Sequence, residues 1–158
     1  MDTEAIYQKP TAIEIKDLLE AKFKDKVEIG GIEKDRIQVK LSDKKDVFDI
    51  CCFISDKLTF EHCSFVMGLD MIEHMEVIYL LTNYHTAMNI EITVELPLDD
   101  LHVPSIALVW EGANWHERET YELFGIIFDG HPKLERLLTP DTYNFYPFRK
   151  SYKLRGQE

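Results

Sequence analysis

The chain has 158 residues, which fits one domain built on one core. Apolar residues make up 45% and charged residues 30%, the balance of an ordinary globular protein, and no apolar run nears the ~20 residues that cross a bilayer. A formal charge of −11 argues against nucleic acid as a partner, because phosphate would be repelled.

The charge is uneven. Residues 1–130 hold 12 Lys+Arg against 26 Asp+Glu, whereas residues 131–158 hold 6 against 3, so a body of −14 carries a tail of +3. Such asymmetry points to a basic tail that docks on another surface. The opening Met1-Asp2-Thr3-Glu4 lacks the basic and apolar regions of a signal peptide, which points to the cytoplasm. Cys51, Cys52 and Cys63 have no C-x-x-C spacing for zinc or an iron–sulfur cluster and read as structural thiols in a reducing compartment.

In chain order, Thr11 with Glu14 forms a capping box, and Ile15, Leu18, Leu19 and Phe23 predict a helix over about 12–24. Gly30-Gly31 is expected to break the chain. Arg36 to Leu41 alternates polar and apolar, as a half-buried strand does. Ser42 or Asp43 can cap a second helix with the apolar row Val47, Ile50, Cys51, Ile54 and Leu58. Strands follow over Cys63–Leu69, Glu76–Leu81 and Met88–Leu96, the last two forming an antiparallel hairpin across the polar link Asn83–Ala87. A helical pattern resumes at Ser105 and reaches the charged run Ala113-Asn114-Trp115-His116-Glu117-Arg118-Glu119-Thr120-Tyr121-Glu122-Leu123-Phe124-Gly125.

These elements predict an α+β fold: two N-terminal helices on a mainly antiparallel sheet, then the charged helical motif and an extended C-terminal arm. The division is a domain over 1–139 and an arm over 140–158. Pro140 and Pro147 forbid a regular helix or central strand in the arm. Tyr143, Phe145, Tyr146, Phe148 and Tyr152 make it too aromatic for a disordered tail, so it must lie along a surface, its own or a neighbour's.

The charged run invites a catalytic reading, with Glu117, Glu119 and Glu122 as acid–base groups. Arg118 among them lowers carboxylate pKa values, the reverse of what a general acid needs at neutral pH. Buried ion pairs at an interface account for the same residues. His116-Glu117 begins like a zinc-protease motif, but position 120 is Thr where the second His is required. The remaining histidines show no ligand spacing, and Gly130-His131-Pro132 reads as a turn whose imidazole bonds nearby backbone. Phosphate-binding glycine loops and a nucleophile elbow are absent from the sequence.

As a pattern, Glu117-Arg118-Glu119-x-x-Glu122-Leu123-Phe124-Gly125-Ile126-x-Phe128-x-Gly130-His131-Pro132-x-Leu134-x-Arg136-Leu137-Leu138-x-Pro140 closely resembles the signature of the 30 kDa subunit family of respiratory complex I. Val103-Pro104-Ser105, Ala113-Asn114-Trp115 and Pro147-x-Arg149-Lys150-x-Tyr152 fit as well. Three departures stand out. Glu122 replaces the usual Asp, His116 an aromatic or apolar residue, and the stretch Asp141 to Pro147 lacks the usual Trp and Gly.

The resemblance implies a peripheral-arm subunit, without catalytic activity of its own, in a complex I-like oxidoreductase that passes electrons from NADH or F420H2 to quinone or methanophenazine. It implies no cofactor or metal on this chain, with flavin and iron–sulfur clusters in partner subunits. The implied partners are the hydrogenase-like D subunit and the iron–sulfur B subunit, met on the cytoplasmic side, with the membrane reached only through the complex. Glu117, Arg118, Glu119, Glu122, His131, Arg136, Arg149, Lys150 and Tyr152 are the expected interface and structural motif. The alternatives are a subunit of a membrane-bound hydrogenase and, from another class, a stand-alone enzyme using Glu119, Glu122 and His131.

Overall fold

The computed structural model describes residues 10–154 and 156. Helix α1 spans Ala12–Phe23. Its capping box is closed on both sides: Thr11 Oγ1 accepts from Glu14 N (3.3 Å) and Glu14 Oε2 accepts from Thr11 N (2.7 Å). Ile15 and Leu19 are buried, whereas Leu18 of the predicted apolar row is exposed.

Strand β1, Val27–Glu33, occupies the segment where Gly30-Gly31 was expected to break the chain. The pair is absorbed as an irregularity: the register against β2 (Arg36–Leu41) shifts between Ile29 and Gly31. Glycine here marks a bulge rather than an end.

Asp43 Oδ1 accepts from Lys45 N (2.9 Å) and caps a single 3₁₀ turn, Lys44–Asp46, that leads into helix α2, Val47–Asp56. The predicted row Val47, Ile50, Cys51, Ile54 and Leu58 is buried throughout, although Leu58 lies beyond the helix end. Cys51 and Cys63 are buried and all three thiols are free. Burial pushes the Cys63 thiol up to about 12, so it stays protonated and acts as a small apolar side chain.

Strands β3 (His62–Asp70), β4 (His74–Asn83) and β5 (Met88–Pro97) complete a five-stranded sheet in the order β1-β2-β5-β4-β3. All neighbours are antiparallel except β2 and β5, which run parallel. Along β4 and β5 burial alternates strictly. Tyr79, Leu81, Ile90 and Ile92 face the core, while Ile78, Leu80, Glu91 and Thr93 lie on the partly open face. No helix of the described residues is long and apolar enough to cross a membrane.

The helix expected from Ser105 begins later. Residues 105–112 are irregular, with turns at 107–109 and 111–112, and helix α3 covers Ala113–Phe124. The delay has a local cause: the Ser105 amide donates to Asp129 O (2.8 Å) and the Ile106 amide to the Glu117 carboxylate (2.7 Å), so neither follows a helical path. A second, two-stranded parallel sheet pairs β6 (His102–Pro104) with β7 (Ile127–Asp129) and fixes both ends of the α3 region.

Candidate interaction site

Helix α3 stands along β3, the edge strand of the main sheet. Thr120 Oγ1 donates to the Val66 carbonyl (3.2 Å), taking up a group that the edge would otherwise leave unpaired. The approach is close because position 68 is glycine: a Cβ there would sit 2.8 Å from Phe124 Cδ2.

The carboxylate of Glu117 is fully buried, accepting from Ser105 Oγ (2.6 Å) and Ile106 N (2.7 Å). Burial raises its pKa to about 7 against the pull of those two donors. Beside it the His131 ring accepts from Lys133 N at Nδ1 (3.0 Å) and places Nε2 3.1 Å from Asn114 O. An amide donating to Nδ1 fixes the neutral tautomer with hydrogen on Nε2, and burial lowers the His131 pKa in the same sense.

Glu122, one and a half turns on, is equally buried but sits in a cradle of amides. It accepts from Leu137 N (2.8 Å), Leu138 N (3.0 Å) and Thr139 N. Burial alone would raise its pKa, yet the bonds from Thr139, Leu138 and Leu137 outweigh it and hold the group below the ordinary carboxylate range. The chain that follows β7 is thereby tied to α3.

From there the arm turns back over the C-terminal end of α3. Gly125 takes the left-handed conformation that ends the helix (φ 79°). A Cβ at this position would lie 2.5 Å from Arg149 Nη2 and 2.8 Å from the Tyr146 ring. Arg149 Nε donates to Phe124 O (2.6 Å), a cation meeting the carbonyl end of the helix. Its guanidinium lies 4.5 Å from the centre of the Tyr146 ring, with Arg136 5.7 Å from the same ring. Phe148 N donates to Leu123 O (3.1 Å) and Lys150 N to Asp70 Oδ2 (2.8 Å). Tyr152 stacks on Phe145 at 5.3 Å.

Comparison with known proteins gives this arrangement a family. The model of the respiratory-chain NADH dehydrogenase 30 Kd subunit matches residues 41–158. The chain belongs to that family. It is 33% identical over 152 residues to the C subunit of NADH-quinone oxidoreductase from Salinispora tropica, covering 90% of this chain and 62% of that one. It is 34% identical over 139 residues to the C subunit of F(420)H(2) dehydrogenase from Methanosarcina mazei, covering 85% and 87%. Thus the chain spans 62% of the Salinispora tropica relative and 48% of that from Saccharopolyspora erythraea.

Among solved structures it is similar to Nqo5 in a trypsin-resistant fragment, with a TM-score of 0.63, 26% identity, and coverage of 76% and 98%. A chain of the membrane-bound sulfane sulfur reductase, an archaeal respiratory membrane complex, shares the fold with a TM-score of 0.79 at 20% identity, covering 90% and 86%.

Within this family member, the residues singled out in the sequence separate into three groups. Glu117, Glu122 and His131 are internal. Arg136, Arg149 and Tyr152 hold the arm to itself and to α3. Glu119 and Lys150 stay exposed. Among the described residues Arg118 has no carboxylate partner of the kind expected. Arg118 is half-buried, donates from Nε to Glu135 O (3.0 Å) and lies 5.5 Å over the Trp115 ring. Neighbouring positions on a helix point to different sides, so Glu117 and Glu119 cannot both face Arg118. Backbone amides take the place of the expected cations.

Glu119 does not share its groove with Glu122 or His131. A groove of about 540 Å³ between β3 and α3 is lined by Glu119 and His116, but by neither of the others. Apart from Thr120 its remaining lining is apolar and includes Met67, Leu123 and Phe148. Ser105, Asp70 and Tyr146 are partners that sequence reasoning missed, since each meets its counterpart only through tertiary folding.

The sheet also brings His74, Glu76 and Glu95 together, with ligand-type atoms within 4.8 Å of one another. Sequence spacing misses this group because Glu95 arrives from the neighbouring strand, opposite Glu76. Glu95 is already paired with Lys40, and His74 Nε2 lies 3.1 Å from Glu76.

Proposed function

We propose that this chain is a cofactor-free peripheral subunit of a complex I-like respiratory oxidoreductase, docking on the hydrogenase-like D subunit near the iron–sulfur B subunit. The observation that carries the reading is the internal use of the charged motif. Both buried glutamates are spent on backbone amides and a serine, which suits a scaffold. The similar subunits of NADH-quinone oxidoreductase and F(420)H(2) dehydrogenase support membership of a multi-subunit electron-transfer complex.

On this reading flavin and iron–sulfur clusters belong to partner subunits, and the chain lies on the cytoplasmic side, reaching the membrane only through the complex. The electron donor is bound elsewhere, so NADH and F420H2 both fit, with quinone or methanophenazine as acceptor. The arm over 140–158 and the exposed Lys150 form the docking element. An interface of this kind is expected to combine aromatic residues with a few unspent cations.

The test is removal of residues 140–158 from the chain in its complex. Recovery of assembled complex should fall sharply. Undiminished assembly would remove the arm from the docking surface.

A further inference from the structure

The groove between β3 and α3 has a shape and polarity that nothing inside the chain uses. It is lined by residues 65–69 of the strand, Leu123 of the helix and Phe148 of the arm. Met67 is 42% exposed and Phe148 59%, so both present apolar surface to solvent from one depression. The apolar surface runs on across the sheet: Phe65 faces Leu80 and Met67 faces Ile78, both only half-buried. Five strand residues give the groove a length of about 13 Å, the reach of roughly two helical turns.

Two observations define what fits. An added strand is excluded at the middle of the edge, because the Val66 carbonyl already accepts from Thr120 and α3 stands alongside. An occupant must therefore bind by side chains, as a helix does in a groove. The second observation is charge. Glu119 stands exposed on the α3 rim with no ion-pair partner among the described residues, whereas Glu91 and Glu95 on the sheet pair with Arg36 and Lys40. On a chain of −11 the unmatched rim charge calls for a cation from outside.

We infer that this groove seats an amphipathic helix of a neighbouring subunit, with its apolar row against Met67, Leu123 and Phe148 and a Lys or Arg over Glu119. The inference rests on the reading of the chain as a member of a multi-subunit complex. It is tied to the arm by continuity, since Phe148 forms one wall and its amide is fixed to Leu123 O. A neighbour that meets the arm therefore meets the groove.

The test places a photo-crosslinking amino acid at Met67, and separately at Lys153, in the full chain within the complex in native membranes. Crosslinked peptides are then sequenced. At Met67 the expected product is a helical segment of a neighbouring subunit that carries a Lys or Arg. Met67→Glu should lower recovered complex roughly tenfold, the factor typical of an interface hot spot, without lowering the thermal midpoint of the isolated chain. A product at Lys153 with none at Met67 would overturn the groove and leave the proposed function standing. Capture of a second copy of this chain, of lipid, or of an extended segment at Met67 would overturn it too. Absence of products at both positions would remove both ideas.

Discussion

Glu117 Oε2 lies 3.8 Å from His131 Nε2, with both side chains shut off from solvent, yet the two do not form a salt bridge of the usual kind. The ring is held neutral by the amide that donates to its other nitrogen, and the carboxylate answers to Ser105 and Ile106. Five residues further along the same helix, Glu122 is buried to the same degree and stays ionised because three successive amides surround it. One helix thus carries two buried glutamates whose stability contributions run in opposite directions with pH.

For Glu117 the folded pKa, about 7, lies above the ordinary 4.5. The folded state therefore holds the proton more tightly, so the associated stability is full below about pH 4.5 and is lost as pH rises to 7. The shift corresponds to about 3 kcal/mol. Denaturant unfolding of the wild type and of Glu117→Gln between about pH 5 and 8 should show the wild type losing this amount relative to the variant. Comparing the two largely cancels the contribution of His131, which both retain. A pH-independent difference would mean that Glu117 is charged throughout.

Glu122→Gln tests the opposite sign. The folded pKa is depressed, so the stabilisation is present above the unfolded value and lost as pH falls through the folded one. At neutral pH the variant should unfold about 2–3 kcal/mol more easily, because amide bonds to a charged acceptor are replaced by weaker ones. The deficit should shrink in acid.

Gly125→Ala combines strain at a left-handed residue with a clash against Arg149 and Tyr146. Loss of about 2–3 kcal/mol is expected. The arm should loosen with it, which limited trypsin digestion would detect as faster cleavage after Arg149 and Lys150.

Arg118→Ala should be mild. The guanidinium touches one carbonyl and one exposed indole, so about 1 kcal/mol or less is at stake. A loss several times larger would mean that a carboxylate partner had been uncovered.

Periodicity made much of the fold legible. The rows Val47–Leu58 and Met88–Leu96 fall where expected because burial on one face leaves a repeat of about 3.6 or 2 in the sequence. What stayed hidden lacks such a repeat. Strand β1 contains a bulge at its glycines, β6 and β7 have three residues each, and the turn region 105–112 is set by bonds to Glu117 and Asp129 that no local pattern encodes. The site was legible as a motif and not as a mechanism. Charge density around Arg118 looked like ion pairing, while the actual partners of Glu117 and Glu122 are backbone amides and the Ser105 hydroxyl, and nearly every residue type supplies an amide. The groove was invisible because Met67, Leu123 and Phe148 lie far apart in the chain.

The central claim is that the charged helix supports assembly and performs no proton chemistry. Electron-transfer turnover per assembled complex, measured with Glu119→Gln and with Glu122→Gln, tests it most directly. The account predicts turnover within about twofold of wild type for whatever complex assembles, even where its amount falls. A drop of about 10²-fold or more in assembled complex, the scale on which a general acid or base contributes, would contradict it.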